Sequence, residues 1–305
     1  MKTKILRNLF LSLSAIFALS ITAHAQNLYV SAQVPGGQAP HQVILEFTPL
    51  GVQTTYASKL SFPRGLAFDS MGNFFAAESI ESGHDLTIGK VLLFNLRNKA
   101  TTLGSAANFF FEGLAIDIAG NAYVMANDDT SPTVASTIFK FTPSGEKTIF
   151  GSIPSQGWGL AFDSAGNLYA AEGSPDTGDR TIYRFAPAGT QAVFAGTDAF
   201  PEGVFPIGLA FDSSGNLFVS TECFCDPGND TILEFTSDGM QSTFATGLTF
   251  PRGLAFDSSG NLFVAEANAI PDGDILEFLP DGTEVTPAFA SGFGRPEFLT
   301  FGPPR

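Results

Sequence analysis

The chain is short of the residues that most often carry chemistry. Its 305 residues include two cysteines, three histidines and one tryptophan. Two cysteines cannot build a disulfide scaffold. Charged residues make up 15%, against about 25% in ordinary soluble domains. Cations are the scarcer sign, 15 Lys+Arg facing 30 Asp+Glu, and the formal charge of −15 repels phosphate backbones. Nucleic acid is therefore excluded as a partner. A long hydrophobic run is missing too: the longest, Leu9 to Ile21, is too short to span a bilayer. No G-x-S-x-G elbow, H-E-x-x-H pair or P-loop occurs. Helical periodicity is absent beyond residue 25. Disorder is excluded by a hydrophobic content of 44%, and a coiled coil by 32 glycines and 19 prolines.

The apolar run is an address. Lys2, Lys4 and Arg7 precede it and Ala23-His24-Ala25 follows it, the layout of a secretory signal peptide over residues 1–25. Cleavage after Ala25 leaves 280 residues and removes three cations, so the mature charge becomes −18. The expectation is an exported protein, secreted or periplasmic, with no membrane span.

What the mature chain has in abundance is repetition. GLAFD or a close variant begins at Gly65, Gly113, Gly159, Gly208 and Gly253, with a weaker copy, FLTF, at Phe298. The spacings are 48, 46, 49, 45 and 45 residues. A second string opens at Asn27, Asn73, Asn121, Asn167, Asn216 and Asn261; a third closes at Phe47, Phe94, Phe141, Phe185, Phe235 and Phe278. A fourth, less regular, reads QTTYA, KTIFG and QSTFA. Each unit thus offers four short strands rich in Phe, Val, Ile, Leu and Tyr. GLAF and NLFVA are continuous apolar runs, as expected of strands covered on both faces, and stacked sheets in a ring give that pattern.

D-x-x-G-N joins the first two strands at Asp69, Asp117, Asp163, Asp212 and Asp257. These aspartates are read as turn caps rather than metal ligands. A sixth copy is missing because its first strand, Pro296–Phe301, lies at the C-terminus and its second begins at Asn27. The reading is all-β: one six-bladed β-propeller over residues 26–305, four antiparallel strands per blade, the first blade closed by the C-terminal strand. Such closure leaves no free sheet edge.

PRGLAFDSSGNLFVAE (Pro251–Glu266) and DILEFLPDG (Asp274–Gly282) resemble the NHL repeat and the units of the senescence-marker-protein/gluconolactonase superfamily. The resemblance covers essentially the whole mature chain. It implies the propeller and leaves function open, because the same ring serves as hydrolase, lyase and binding module. In gluconolactonase-like enzymes a divalent cation such as Ca²⁺ sits in the channel, held from the residue before the inner-strand glycine. Here those positions are Glu297, Arg64, Glu112, Trp158, Ile207 and Arg252. Glu297 and Glu112 are the candidate metal ligands, while Trp158 and Ile207 stand where polar ligands are expected, and Ca²⁺ takes six to eight oxygens. The zinc of amidating-lyase-like propellers needs histidines, and only His41 and His84 remain after cleavage. Streptogramin-lyase-like and quinone-dependent propellers lean on histidine as well.

The six rim positions have an order of their own. Arg252, Glu297, Arg64 and Glu112 come from consecutive blades and should form an arc of alternating charge, completed by Trp158 and Ile207 as an apolar arc. One reading is a salt-bridged collar with a hydrophobic plug. The other is a ligand site, with guanidiniums for an anion and Trp158 stacking on a sugar or ring. Cys223 and Cys225 are a candidate disulfide within one loop, or two idle thiols. Acidic loops after the second strands should share the rim's face. The leading expectation is a monomeric binding or scaffold module that recognises a protein or carbohydrate on that loop-rich face. A gluconolactonase-like, metal-dependent hydrolase is the alternative.

Overall fold

Each D-x-x-G-N string folds as a closed turn, and the reason is local. Oδ1 of Asp69 accepts the backbone N–H groups of Met71 and Asn73 at 2.9 and 2.8 Å, and Oδ2 accepts Asn73 Nδ2 at 2.7 Å. The other four aspartates repeat this pattern. The glycine takes φ between 78° and 87° in all five turns, a region that side chains resist.

The structure, a computed structural model, describes residues 26–33, 42–82, 86–95, 97–130, 135–223, 228–267 and 273–303. The turns link strands into six four-stranded antiparallel sheets. Five sheets are consecutive in sequence. The sixth orders Arg295–Phe301, Leu28–Gln33, Gln42–Phe47 and Gln53–Leu60, so the C-terminal strand closes the first blade. The fourth strand is present in every blade, including Ala100–Ala107, Gln191–Ala195 and Glu284–Ser291, which carry no regular string. The split blade copies the turn bond across the chain ends: Gly302 N–H donates to the Asn27 carbonyl at 2.9 Å, where the others have Asp N–H to Asn carbonyl at 3.0 Å. No helix among the described residues is long and apolar enough to cross a membrane.

Blades meet through two repeated contacts. At the centre, the inner-strand glycines let neighbouring backbones touch. A Cβ on Gly113 would lie 2.4 Å from the Trp158 carbonyl oxygen, and one on Gly208 only 1.9 Å from that of Arg252. Phe298 takes the glycine's place in blade 1 and lines the channel. Further out, an aromatic of the second strand meets one from the fourth strand and one from the next blade's inner strand. Tyr123 with Phe150 and Phe162 is one trio, with centroids 4.9 and 5.1 Å apart. Equivalent trios gather on Tyr29, Tyr169, Phe218 and Phe263. Blade 2 substitutes Phe75, Leu103 and Ile116. Edge-to-face pairs add about 0.5–1.5 kcal/mol each beyond area burial, a use for part of the chain's 32 phenylalanines.

Candidate ligand site at the channel mouth

The inner strands are bulged. Their register against the second strand slips between Pro63 and Leu66, Phe111 and Leu114, Gly157 and Leu160, Pro206 and Leu209, and Pro251 and Leu254. A bulge re-aims the residues inside it, here the rim residue and its glycine. Serine hydroxyls repair the ladder in two blades: Ser220 Oγ accepts Gly208 N–H at 2.8 Å and donates to the Arg252 carbonyl at 2.7 Å. Ser31 does the same between Phe298 and Arg64.

Four of the six rim positions converge. Glu297, 1% exposed, is the hub. Its Oε2 pairs with Arg64 Nη1 and, at 2.8 Å, with Arg252 Nη1. Its Oε1 lies 3.5 Å from Arg295 Nε and accepts Gln33 Nε2 at 3.4 Å. Arg252 Nε turns to Glu222 Oε1 at 2.9 Å, and Arg64 Nε faces Glu112 Oε2 at 3.6 Å. Three carboxylates and three guanidiniums form the collar.

Burial and pairing sort the three acids. Burial pushes Glu297 up, but the guanidiniums of Arg64, Arg252 and Arg295 outweigh it and hold its carboxyl below the ordinary range. Burial pushes Glu112 up and Arg64 offsets only part of it; Glu222 is raised by burial in the same way, with Arg252 as the partial offset. Arg252 loses solvation but is held above its usual value by Glu297 and Glu222. Arg295 is lowered by burial, and the charges of Arg252 and Arg64 add to that.

The apolar pair is placed differently. Trp158 Nε1–H donates to the Gly173 carbonyl at 2.7 Å, and Arg252 Cζ stands 5.6 Å from the indole centroid. The indole is thus held in place, with a guanidinium over its ring where a sugar was expected to stack. Ile207 is fully buried in the cluster around Trp158 and is not a lining residue. Above the collar opens a cavity of about 390 Å³, walled by Arg64, Arg252 and Arg295, by Glu112 and Trp158, and by Asn127 to Asp129. The acidic loop after a second strand does share the rim's face.

Arg295 escaped the rim pattern, and so did three residues of the second strands, Gln33, Asn127 and Glu222. The signal of those three is in the second strands. Counting from the opening asparagine, blades 2, 4 and 6 carry a glutamate at the fifth place (Glu78, Glu172, Glu266), and blades 1, 3 and 5 carry Gln33, Asn127 and Glu222 at the sixth. Successive strand residues face opposite ways. The first set caps its own blade: the N–H groups of Ser61, Ser155 and Thr249 donate to Glu78, Glu172 and Glu266 at 3.2, 2.9 and 2.7 Å. In the second set, Gln33 and Glu222 join the collar, while Asn127 bonds both Gly157 N–H and its carbonyl, at 3.0 and 2.9 Å. The ring alternates in threefold fashion.

The residues present do not suit a hard cation. Among the described residues no three His, Cys, Asp or Glu side chains converge as metal ligands. Glu297 already answers three guanidiniums, and a Ca²⁺ there would have to displace them. The five turn aspartates spend their oxygens on their own turns. His41, His84 and Cys225 lie outside the described residues. Cys223 ends its strand buried and is not a free thiol.

No protein-family model matches the chain, and no curated protein matches it. Solved structures do. TolB from Acinetobacter baumannii superposes with a TM-score of 0.68 at 12% identity, over 91% of this chain and 67% of that one. A gluconolactonase from Xanthomonas campestris gives 0.59 at 14%, over 88% and 87%. The PQQ-bound aldose sugar dehydrogenase of Streptomyces coelicolor gives 0.60 at 20%, over 81% and 87%. The gluconolactonase is of the kind whose repeat units the sequence resembles. At such identities the likeness is one of fold, and these neighbours differ in chemistry.

Proposed function

We propose that this chain is an exported binding module whose recognition site is the channel mouth on the loop-rich face. The observation that carries the reading is the state of Glu297. Of the two rim carboxylates in the position of a lactonase-type metal ligand, Glu297 is spent on Arg64, Arg252 and Arg295, and Glu112 faces Arg64 at 3.6 Å. A mouth built this way presents fixed hydrogen-bonding and charged groups around a preformed cavity, as small-ligand sites do. A protein or carbohydrate partner would reach the same face through its loops. Export rests on the leader at residues 1–25.

The test is a thermal melt of the mature protein with EDTA and with Ca²⁺, Zn²⁺ or Mn²⁺ restored. A ligand that binds only the folded state raises stability by about 2.7 kcal/mol at a hundredfold excess over Kd. The expected outcome is no metal-dependent shift. A shift reversed by EDTA and lost in Glu297→Gln would overturn the reading in favour of a metal-dependent hydrolase.

A further inference from the structure

We propose that the channel-mouth cavity receives a zwitterionic α-amino acid, its carboxylate on Arg64 and Arg295 and its ammonium on Glu112; this rests on the binding reading above. The cavity is polar in a particular way. Arg295, Arg64 and Arg252, from blades 1, 2 and 6, form one wall, and Glu112, Asp128 and Asp129, all from blade 3, form another. The carboxylates that neutralise the arginines, Glu297 and Glu222, are buried and do not line the cavity. A ligand inside therefore meets cations on one side and anions on the other. A simple anion or cation is repelled by one wall, whereas a molecule bearing both charges is attracted by each.

Individual groups point the same way. Glu112 is 6% exposed, lines the cavity and receives no hydrogen bond from the described residues; its Oε2 has only Arg64 Nε at 3.6 Å. A buried carboxylate without a donor is costly, and an ammonium supplies donors of the right charge. Asp128 and Asp129 are already committed to Thr130 and Thr87, which leaves Glu112 as the ammonium partner. On the other wall Arg295 has one ion-pair partner among the described residues, Glu297 at 3.5 Å, and its Nε makes no hydrogen bond. Its side chain is 30% exposed, so it can turn toward an incoming carboxylate. Arg64 and Glu112 stand side by side, as the two charged groups on one carbon require. Phe110 and Trp158 add apolar surface for a side chain, and the cavity of about 390 Å³ holds a free amino acid with some water.

The probes are L-phenylalanine, L-phenylalaninamide, which lacks the carboxylate, and N-acetyl-L-phenylalanine, which lacks the ammonium. They are followed by the other common amino acids, all read by calorimetry and by thermal shift. The expected result is binding of free amino acids and roughly tenfold or greater weakening with either blocked form. Arg295→Gln should weaken the free acid while leaving the amide unchanged, and Glu112→Gln should do so while leaving the acetylated form unchanged. Each variant's unliganded melt is compared with wild type to show that it is folded. No response to any amino acid, or equal binding of the blocked forms, overturns the inference. Binding of glucose or glucuronate alone, lost in Arg295→Gln, overturns the ligand class and leaves the binding module standing. A melt that answers only to Ca²⁺ overturns both.

Discussion

At the scale of single residues, the collar's acids have opposite effects. Glu297 is held below the ordinary carboxylate range, so its ionised form stabilises the fold; that contribution is present above the unfolded pKa and is lost as pH falls through the folded one. Glu112 and Glu222 are raised, so each contributes more in the protonated form, and that contribution is lost as pH rises through the folded pKa. Melts taken from neutral pH downward should therefore show stability rising first, as Glu112 and Glu222 protonate, and then falling as Glu297 does. Glu112→Gln and Glu222→Gln together should reduce the rise without removing it, because burial also raises Glu78, Glu172 and Glu277, and a flat wild-type profile would contradict it. Glu297→Gln at neutral pH strips three guanidiniums of their shared partner. Breaking a buried pair from one side costs about 3–5 kcal/mol, and denaturant titration would show it.

At the scale of elements, the inner strands depend on glycine for contact rather than for turning. Gly208 would place a Cβ against the Arg252 carbonyl, whose atoms belong to the neighbouring backbone and cannot swing away. Gly208→Ala should cost about 3 kcal/mol or more, because forcing the blades apart also loosens the Ser220 bridge. A melting temperature within a degree of wild type would mean that the blades are not in close contact there. The aromatic trios tolerate more, as blade 2 already replaces rings with Leu103 and Ile116.

At the scale of the whole molecule, the ring is held shut by one sheet made from both chain ends. Removing residues 295–305 deletes the inner strand of blade 1, exposes the edge of Leu28–Gln33 and removes Glu297 from the collar. Cooperative melting should be lost, and a peptide spanning Arg295–Pro303 supplied in trans should restore it. A truncated chain that melts as sharply as the full one would show the closure to be dispensable. Because the collar draws on blades 1, 2, 3, 5 and 6, the same truncation should also abolish ligand binding at the mouth.

The sequence by itself determined the repeat, the turns and the closure. D-x-x-G-N carries its own hydrogen bonds within five residues, and short, continuously apolar strand strings repeated at a near-constant spacing need no distant partner to be recognised. The split blade was legible because two halves of one unit stood at opposite ends of the chain. The fourth strands of blades 2, 4 and 6 were legible only through the repeat, without a string of their own, since edge strands such as Gln191–Ala195 bury too little to keep a pattern. The site was legible only in part. Position before the glycine singled out Glu297, Arg64, Glu112 and Arg252. It missed Arg295 and Glu222 and misplaced Ile207, because a bulge and a one-residue offset in the second strand decide which side chains reach the mouth. Tertiary structure alone decided that Trp158 would lie beneath Arg252, and that the arginines would share Glu297 while Glu112 kept none of them within hydrogen-bonding distance. Apart from Arg295, which shares a strand with Glu297, those are contacts between residues about 45 or more apart in sequence, where geometry, and not local preference, selects the partner.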